Sequence, residues 1–155
     1  MDIGCYNISL SRFLFDSEPK RVMASIDYDP NFGTDRRVSG ILEFETGTAT
    51  FTCSTQMTPF QHVTVLGTDG RIELEIPFNA PADAAVRLLH QQSSQSDEVR
   101  FDPCNQYTMQ ADQFSLSILE DKPVPTPLSD AVANMQVIDA IRDSGRTKTW
   151  VSLHP

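Results

Sequence analysis

Asp2 and Tyr6 are the residues of this chain whose types and spacing come nearest to chemistry. They stand at i and i+4 in Met1-Asp2-Ile3-Gly4-Cys5-Tyr6, and in a helix that separation stacks two side chains on one face. A carboxylate and a phenol placed so can hydrogen-bond a polyol. The phenol can also assist proton transfer where a neighbouring cation lowers its pKa. The same pair has a plainer reading, in which Asp2 favours the positive end of the helix dipole and Tyr6 is a core side chain. The residue types by themselves favour that second reading. The remaining candidates are weaker. His62, His90 and His154 share no metal-ligand spacing and read as surface or half-buried residues. Asp27-x-Asp29-x-Asn31 opens like a calcium loop, but Phe32 stands where the glycine belongs and Val38 where the bidentate glutamate belongs. Asn7-Ile8-Ser9 has the form of a glycosylation acceptor and is set aside because it falls in a predicted helix. Neither Gly-x-Gly-x-x-Gly nor a Gly-Lys-Ser/Thr phosphate loop occurs, so no dinucleotide fingerprint is present.

The chain around these residues has 155 positions, 21 acidic against 12 basic, and a formal charge of −9. That length predicts one domain with a real core. An acidic balance without a basic block argues against nucleic acid or an anionic membrane surface as partner. No apolar run is long enough to span a membrane, and Met1-Asp2-Ile3-Gly4 lacks the basic segment of a secretory signal. The cysteines Cys5, Cys53 and Cys104 form no CxxC pair, predicting neither a zinc cage nor a disulfide framework. A reducing cytoplasm is the expected location.

Hydrophobic spacing predicts the elements that would hold Asp2 and Tyr6. Ile3, Tyr6, Leu10, Phe13 and Leu14 trace one face of a helix that stops before Pro19. Val22, Ala24, Ile26 and Tyr28 then alternate as a strand. Segments 38–45 and 48–54 form a hairpin about Thr46-Gly47, and 63–66 and 72–76 another about Gly67–Gly70. A weaker pair is expected at 84–89 and 98–101, with the polar run 91–97 as a surface loop. Asn105 is the expected N-cap of a helix facing inward through Tyr107, Ala111, Phe114 and Ile118. Pro123, Pro125 and Pro127 make an extended connector. Ser129 then caps a helix through Val132, Met135, Ile138 and Ile141, closed by Gly145, before a last strand at 149–153. The predicted class is α+β: one mainly antiparallel, open sheet with helices on one face. Its other face, rich in Thr, Ser and Glu, is either solvated or paired with a second copy.

Several stretches resemble the Gfo/Idh/MocA oxidoreductases, named for glucose–fructose oxidoreductase, inositol dehydrogenase and a rhizopine-catabolism protein. Asp2-Ile3-Gly4-Cys5-Tyr6, Arg12-Phe13-Leu14-Phe15 and Glu18-Pro19-Lys20-Arg21-Val22 are similar to the helix opening that family's carboxy-terminal domain. Gly67-Thr68-Asp69-Gly70-Arg71-Ile72 with Pro77-Phe78-Asn79, the 107–118 helix, and Pro127-Leu128-Ser129-Asp130-Ala131 leading to Val137-Ile138-Asp139-Ala140-Ile141 follow in the same order. The resemblance implies an NAD(P)-dependent dehydrogenase of sugars, polyols or related cyclic alcohols, in which an amino-terminal Rossmann domain holds NAD or NADP and supplies a lysine. Asp2, Gly4 and Tyr6 match the family's Asp-x-Gly-x-His/Tyr motif, which makes Asp2 and Tyr6 the implied catalytic and substrate-binding residues. Residues 1–155 correspond to the carboxy-terminal domain alone, and the family's Gly-Gly-Gly run and cofactor domain have no counterpart here. Asp121-Lys122-Pro123 imitates the family's Glu-Lys-Pro but follows the wrong element, so no catalytic role passes to Lys122.

Two functions are therefore expected as alternatives. One is the substrate-binding and oligomerisation half of such a dehydrogenase, inactive without the cofactor domain. The other is a non-catalytic assembly module, or a separately encoded subunit that pairs with a Rossmann-domain partner. Both predict a homodimer or higher oligomer through the open sheet face, a use of that face which the resemblance also implies. Such an interface would bury on the order of 1,600 Å². Glu73 and Glu75 would oppose it unless Arg71, Arg37 or another cation pairs with them.

Overall fold

The computed structural model describes residues 1–153; His154 lies outside them. In chain order the elements are α1 (Gly4–Phe15), β1 (Arg21–Tyr28), β2 (Asp35–Glu43), β3 (Thr48–Ser54), β4 (Val63–Leu66), β5 (Gly70–Leu74), β6 (Val86–Gln92), β7 (Gln95–Phe101), α2 (Gln106–Leu119), α3 (Leu128–Thr147) and β8 (Val151–Ser152). They fall into two compact units, Met1–Thr58 with Thr126 onward, and Pro59–Pro125. The class is α+β with antiparallel pairing throughout, but the expected single sheet is two four-stranded sheets, β3-β2-β1-β8 and β4-β5-β6-β7. The break falls between Ser54 and Val63, where Pro59 cannot donate to a ladder.

In the first unit, the period-two pattern puts Val22, Ala24 and Ile26 of β1 opposite Leu42, Gly40 and Val38 of β2, and those opposite Ala49, Phe51 and Cys53 of β3. This face meets α3 and α1. Ile8, Val22, Leu42, Val137 and Ile141 have no exposed surface. Gly145 lets α3 lie directly on β1, because a Cβ there would stand 2.6 Å from Ile26 Cδ1. Ser144 completes the contact. Strand β8 pairs only with Arg21 and Val22, and the Ser144 hydroxyl accepts the Ala24 N–H at 2.9 Å while donating to the Thr149 carbonyl at 2.7 Å. The outer face carries the rows Met23–Ile41–Thr50 and Ser25–Ser39–Thr52. It is thus the Thr/Ser-rich face with interspersed apolar residues that the alternation implied.

The structure corrects the expected helix faces and ends. α1 turns Gly4, Ile8 and Arg12 inward, whereas Ile3, Tyr6, Phe13 and Leu14 of the expected stripe are exposed. The inward stripe is set by close approach at Gly4 and by the ion pairs of Arg12, neither of which registers as hydrophobic periodicity. α3 starts at Leu128 with Pro127 as N-cap, so Ser129 lies within the first turn. It continues past Gly145 to Lys148, whose left-handed φ of 58° ends it. Val132 and Met135 are exposed, while Ile138 and Ile141 are buried as expected.

In the second unit, two antiparallel hairpins join through β5 and β6. The run expected as a loop at 91–97 is instead the tip of the β6–β7 hairpin, closed over Ser93 and Ser94 with Ser93 at φ 55°. Its polarity reflects exposure, not lack of structure. Asn105 does cap α2, its side-chain oxygen accepting the Tyr107 and Thr108 N–H groups at 3.0 and 3.2 Å. The inward stripe expected for α2 is not inward: Tyr107, Phe114 and Ile118 are exposed, and Ser117 is the buried residue of the helix. Glu73 pairs with Arg71 at 3.0 Å and Glu75 with Arg87 at 2.7 Å, so each has a cation beside it. Arg37 pairs with Asp27 in the first unit.

Candidate functional site

Asp2 precedes the first helical residue of α1, and Tyr6 follows one turn later; both side chains are exposed. The core reading of Tyr6 is thereby removed, since the phenol is 53% exposed. Gly4 explains why this turn sits where it does. A Cβ at Gly4 would lie 3.1 Å from Cys53 Sγ and 2.8 Å from Met1 Cε, so the absent side chain lets the helix approach β3. The glycine between aspartate and tyrosine therefore has a packing cause in this chain.

Asp2 lines a cavity of about 290 Å³ together with Asp35, Arg36, Cys53, Ser54 and Thr55 among others. Tyr6 is not one of its lining residues. The structure thus sets the two candidates on one turn without gathering them around one cavity. Burial pushes the Cys53 thiol above its ordinary pKa, which leaves it a poor nucleophile. Cys5, Cys53 and Cys104 are all free thiols.

The calcium-like segment is occupied by local bonds. Asp29 accepts the N–H groups of Asn31 and Phe32 at 2.8 and 3.1 Å, and its carboxylate pKa is lowered first by the Asn31 bond, then by Gln56. Asp27 is paired with Arg36 at 3.0 Å. His62 stacks on Phe60 with ring centroids 6.2 Å apart, and His90 lies in β6 opposite Ile72 and Asp97. Lys122 pairs with Glu120.

What residue types and spacing did not reveal is the support beneath the turn. Arg12 is buried with only 7% exposure and grips Glu18 through two bonds of 2.8 and 2.7 Å. It also reaches Asp130 at 2.9 Å on the first turn of α3. The Glu18 bond raises the guanidinium pKa against the opposing pull of burial, and Asp130 adds to it. An arginine amid helical apolar residues was the available signal. Its partners, 6 to 122 positions away in sequence, were not.

A profile of the GFO/IDH/MocA C-terminal domain matches residues 1–73. An uncharacterized oxidoreductase of Rhizobium meliloti is 36% identical over 96% of this chain and 46% of its own length. A D-xylose 1-dehydrogenase (NADP+) of Haloferax volcanii is 33% identical over 99% of this chain and 47% of its own. The chain thus spans about half the length of these curated relatives. The crystal structure of an aldose-aldose oxidoreductase from Caulobacter crescentus, complexed with glycerol, superposes with a TM-score of 0.85 at 22% identity, covering 97% of this chain and 46% of that one. At that identity the likeness is one of fold. Residues 1–73 thus match the carboxy-terminal domain of the Gfo/Idh/MocA oxidoreductases, and nearly the whole chain is similar to about half of each of two oxidoreductases.

Proposed function

We propose that this chain is the substrate-binding and assembly half of an NAD(P)-dependent dehydrogenase acting on sugars or related polyols. The observation that carries the reading is the near-complete match to two oxidoreductases of about twice its length, one of them a xylose dehydrogenase. Tyr6 serves the proton of the reacting hydroxyl and Asp2 hydrogen-bonds the sugar, roles supported by the exposure of both, Asp2 just before α1 and Tyr6 in its first turn. The residues described do not fit a nicotinamide dinucleotide. Both sheets are antiparallel, and no strand leads through a glycine-rich turn into a helix. The cofactor is held outside these 155 residues, and the chain by itself is inactive. Free thiols and a −9 charge fit a cytoplasmic setting; no helix among the described residues is long and apolar enough to cross a membrane.

Assembly uses the outer face of β1–β3. Ile41 is 38% exposed there, in register with Met23 and Thr50 and beside the row Ser25–Ser39–Thr52, a composition that two copies can share across a two-fold axis. Glu73 and Glu75, expected to oppose pairing, belong to the second unit, where they pair with Arg71 and Arg87. Light scattering at micromolar concentration is expected to give at least a dimer; a mass of 17.3 kDa would overturn this.

Joining the chain to the part of the Haloferax volcanii D-xylose 1-dehydrogenase (NADP+) that it does not cover should give NADP+ reduction with an aldose panel. Tyr6→Phe should then lower kcat by about 10²–10⁴-fold, and Asp2→Asn should act mainly on the sugar KM. Saturable micromolar binding of NADPH by the chain alone, or full activity of Tyr6→Phe, would refute the reading.

A further inference from the structure

Among the described residues Arg12 is the one buried charged side chain. A guanidinium taken from water demands acceptors, and Glu18 with Asp130 supplies two carboxylates. Those two neutralise it fully. The guanidinium makes one further side-chain contact, from Nη1 to the Asn134 side-chain oxygen at 3.5 Å. The same Asn134 donates its amide to the Cys5 carbonyl at 3.3 Å. Cys5 lies between Asp2 and Tyr6. A line of polar contacts therefore runs from the buried cation, across α3, to the backbone of the turn that bears both candidates.

We infer that Arg12 is a positioning residue which, through Asn134, fixes the first turn of α1 and hence the placement of Tyr6 and Asp2 against a bound sugar. The inference rests on the function proposed above. From the other side the turn is held by Gly4 against Cys53, so only its height and rotation relative to α3 are left to set, and the Cys5 carbonyl is where α3 reaches it. Lysine cannot replace arginine in this arrangement. Its single ammonium lacks the planar fork that spans Glu18, Asp130 and Asn134 at once.

Asn134→Ala is the discriminating variant, because it cuts the line while leaving the Arg12–Glu18–Asp130 set in place. In the 155-residue chain it is expected to keep the unfolding midpoint near that of the parent and to make the amides of the first α1 turn exchange about tenfold faster. In the joined enzyme it should lower kcat for the sugar about 10–100-fold, as loss of alignment does, with the cofactor KM unchanged. Arg12→Lys should behave alike, with an added loss of stability. Unchanged exchange at the first turn, or parental kcat in Asn134→Ala, would overturn the inference while Tyr6→Phe still inactivates. An active Tyr6→Phe would instead refute the proposed site, and the exchange measurement would still decide whether Arg12 holds the turn.

Discussion

The β1–β3/β8 sheet and the β4–β7 sheet share a strand count and an antiparallel pairing, and differ in what lies on them. On the first, α3 contributes Val137, Ile138, Ala140 and Ile141 to a buried core, and its Gly145 brings the backbone close to Ile26. On the second, Val63, Leu74, Leu88 and Val99 form a row of equal apolarity. No hydrophobic residue of that unit is fully buried among the described residues. An apolar sheet face is therefore not enough to make a core. A covering helix must also present apolar and small residues in register with the strands, as α3 does and as α2, with only Ser117 buried, does not. The second unit leans instead on its ladders and on the Glu75–Arg87–Glu98–Arg100 chain of ion pairs at its surface.

The sharpest way to break this comparison is to truncate one apolar side chain in each unit. Ile141→Ala is expected to cost about 2–5 kcal/mol, since the methylenes it removes are wholly buried and the site is closely packed. Leu88→Ala, half-buried in β6, should cost about 1 kcal/mol. Urea unfolding of both variants measures the two, and equal losses would erase the distinction. Native-state hydrogen exchange sharpens it. The β1 and β2 amides should exchange only with global unfolding, and those of β6 and β7 through smaller openings.

Gly145→Ala tests how close the α3 contact is. Alanine should favour the helix by about 1 kcal/mol, while overpacking against Ile26 costs about 1–3 kcal/mol. The contacts involve Ile26 Cγ1 at 2.7 Å and Cβ at 3.3 Å, not only a flexible tip, so a net loss is expected in thermal unfolding.

The smallest effect is electrostatic. Glu75 is held below its ordinary pKa by Arg87, and Glu98 by Arg100 first and Arg87 second. Carboxylates lowered on folding stabilise above their unfolded pKa, about 4.3, and lose that contribution as pH falls through the folded value. Arg87→Gln should therefore lower stability slightly at pH 7 and converge with the parent in acid, where the carboxylates are protonated, so that the acid limb is flatter. An unaltered acid limb of the unfolding midpoint would show that these pairs do not act on folding. Because the network is solvent-exposed, added salt should mimic the substitution.

What could be read from the residues alone was local or held in motifs. The strand at 21–28, both early hairpins, the Asn105 cap and the family likeness of the Asp2–Tyr6 turn all follow from contacts between near neighbours or from stretches of fixed order. Period-two alternation is dictated by the pleat itself, so β1 and β3 keep the burial their side chains announce. A helix has no such constraint, because its inward face is whichever face its partner accepts. α1 accordingly buries Gly4, Ile8 and Arg12 and leaves Ile3, Tyr6, Phe13 and Leu14 in solvent. The division into two sheets, the hairpin hidden in the polar run after Leu89, and the Arg12–Asn134 line to Cys5 likewise joined residues that only folding brings together. Buried charge is settled by acceptors distant in sequence, and Asp130 and Asn134 reach Arg12 only when α3 has closed on α1.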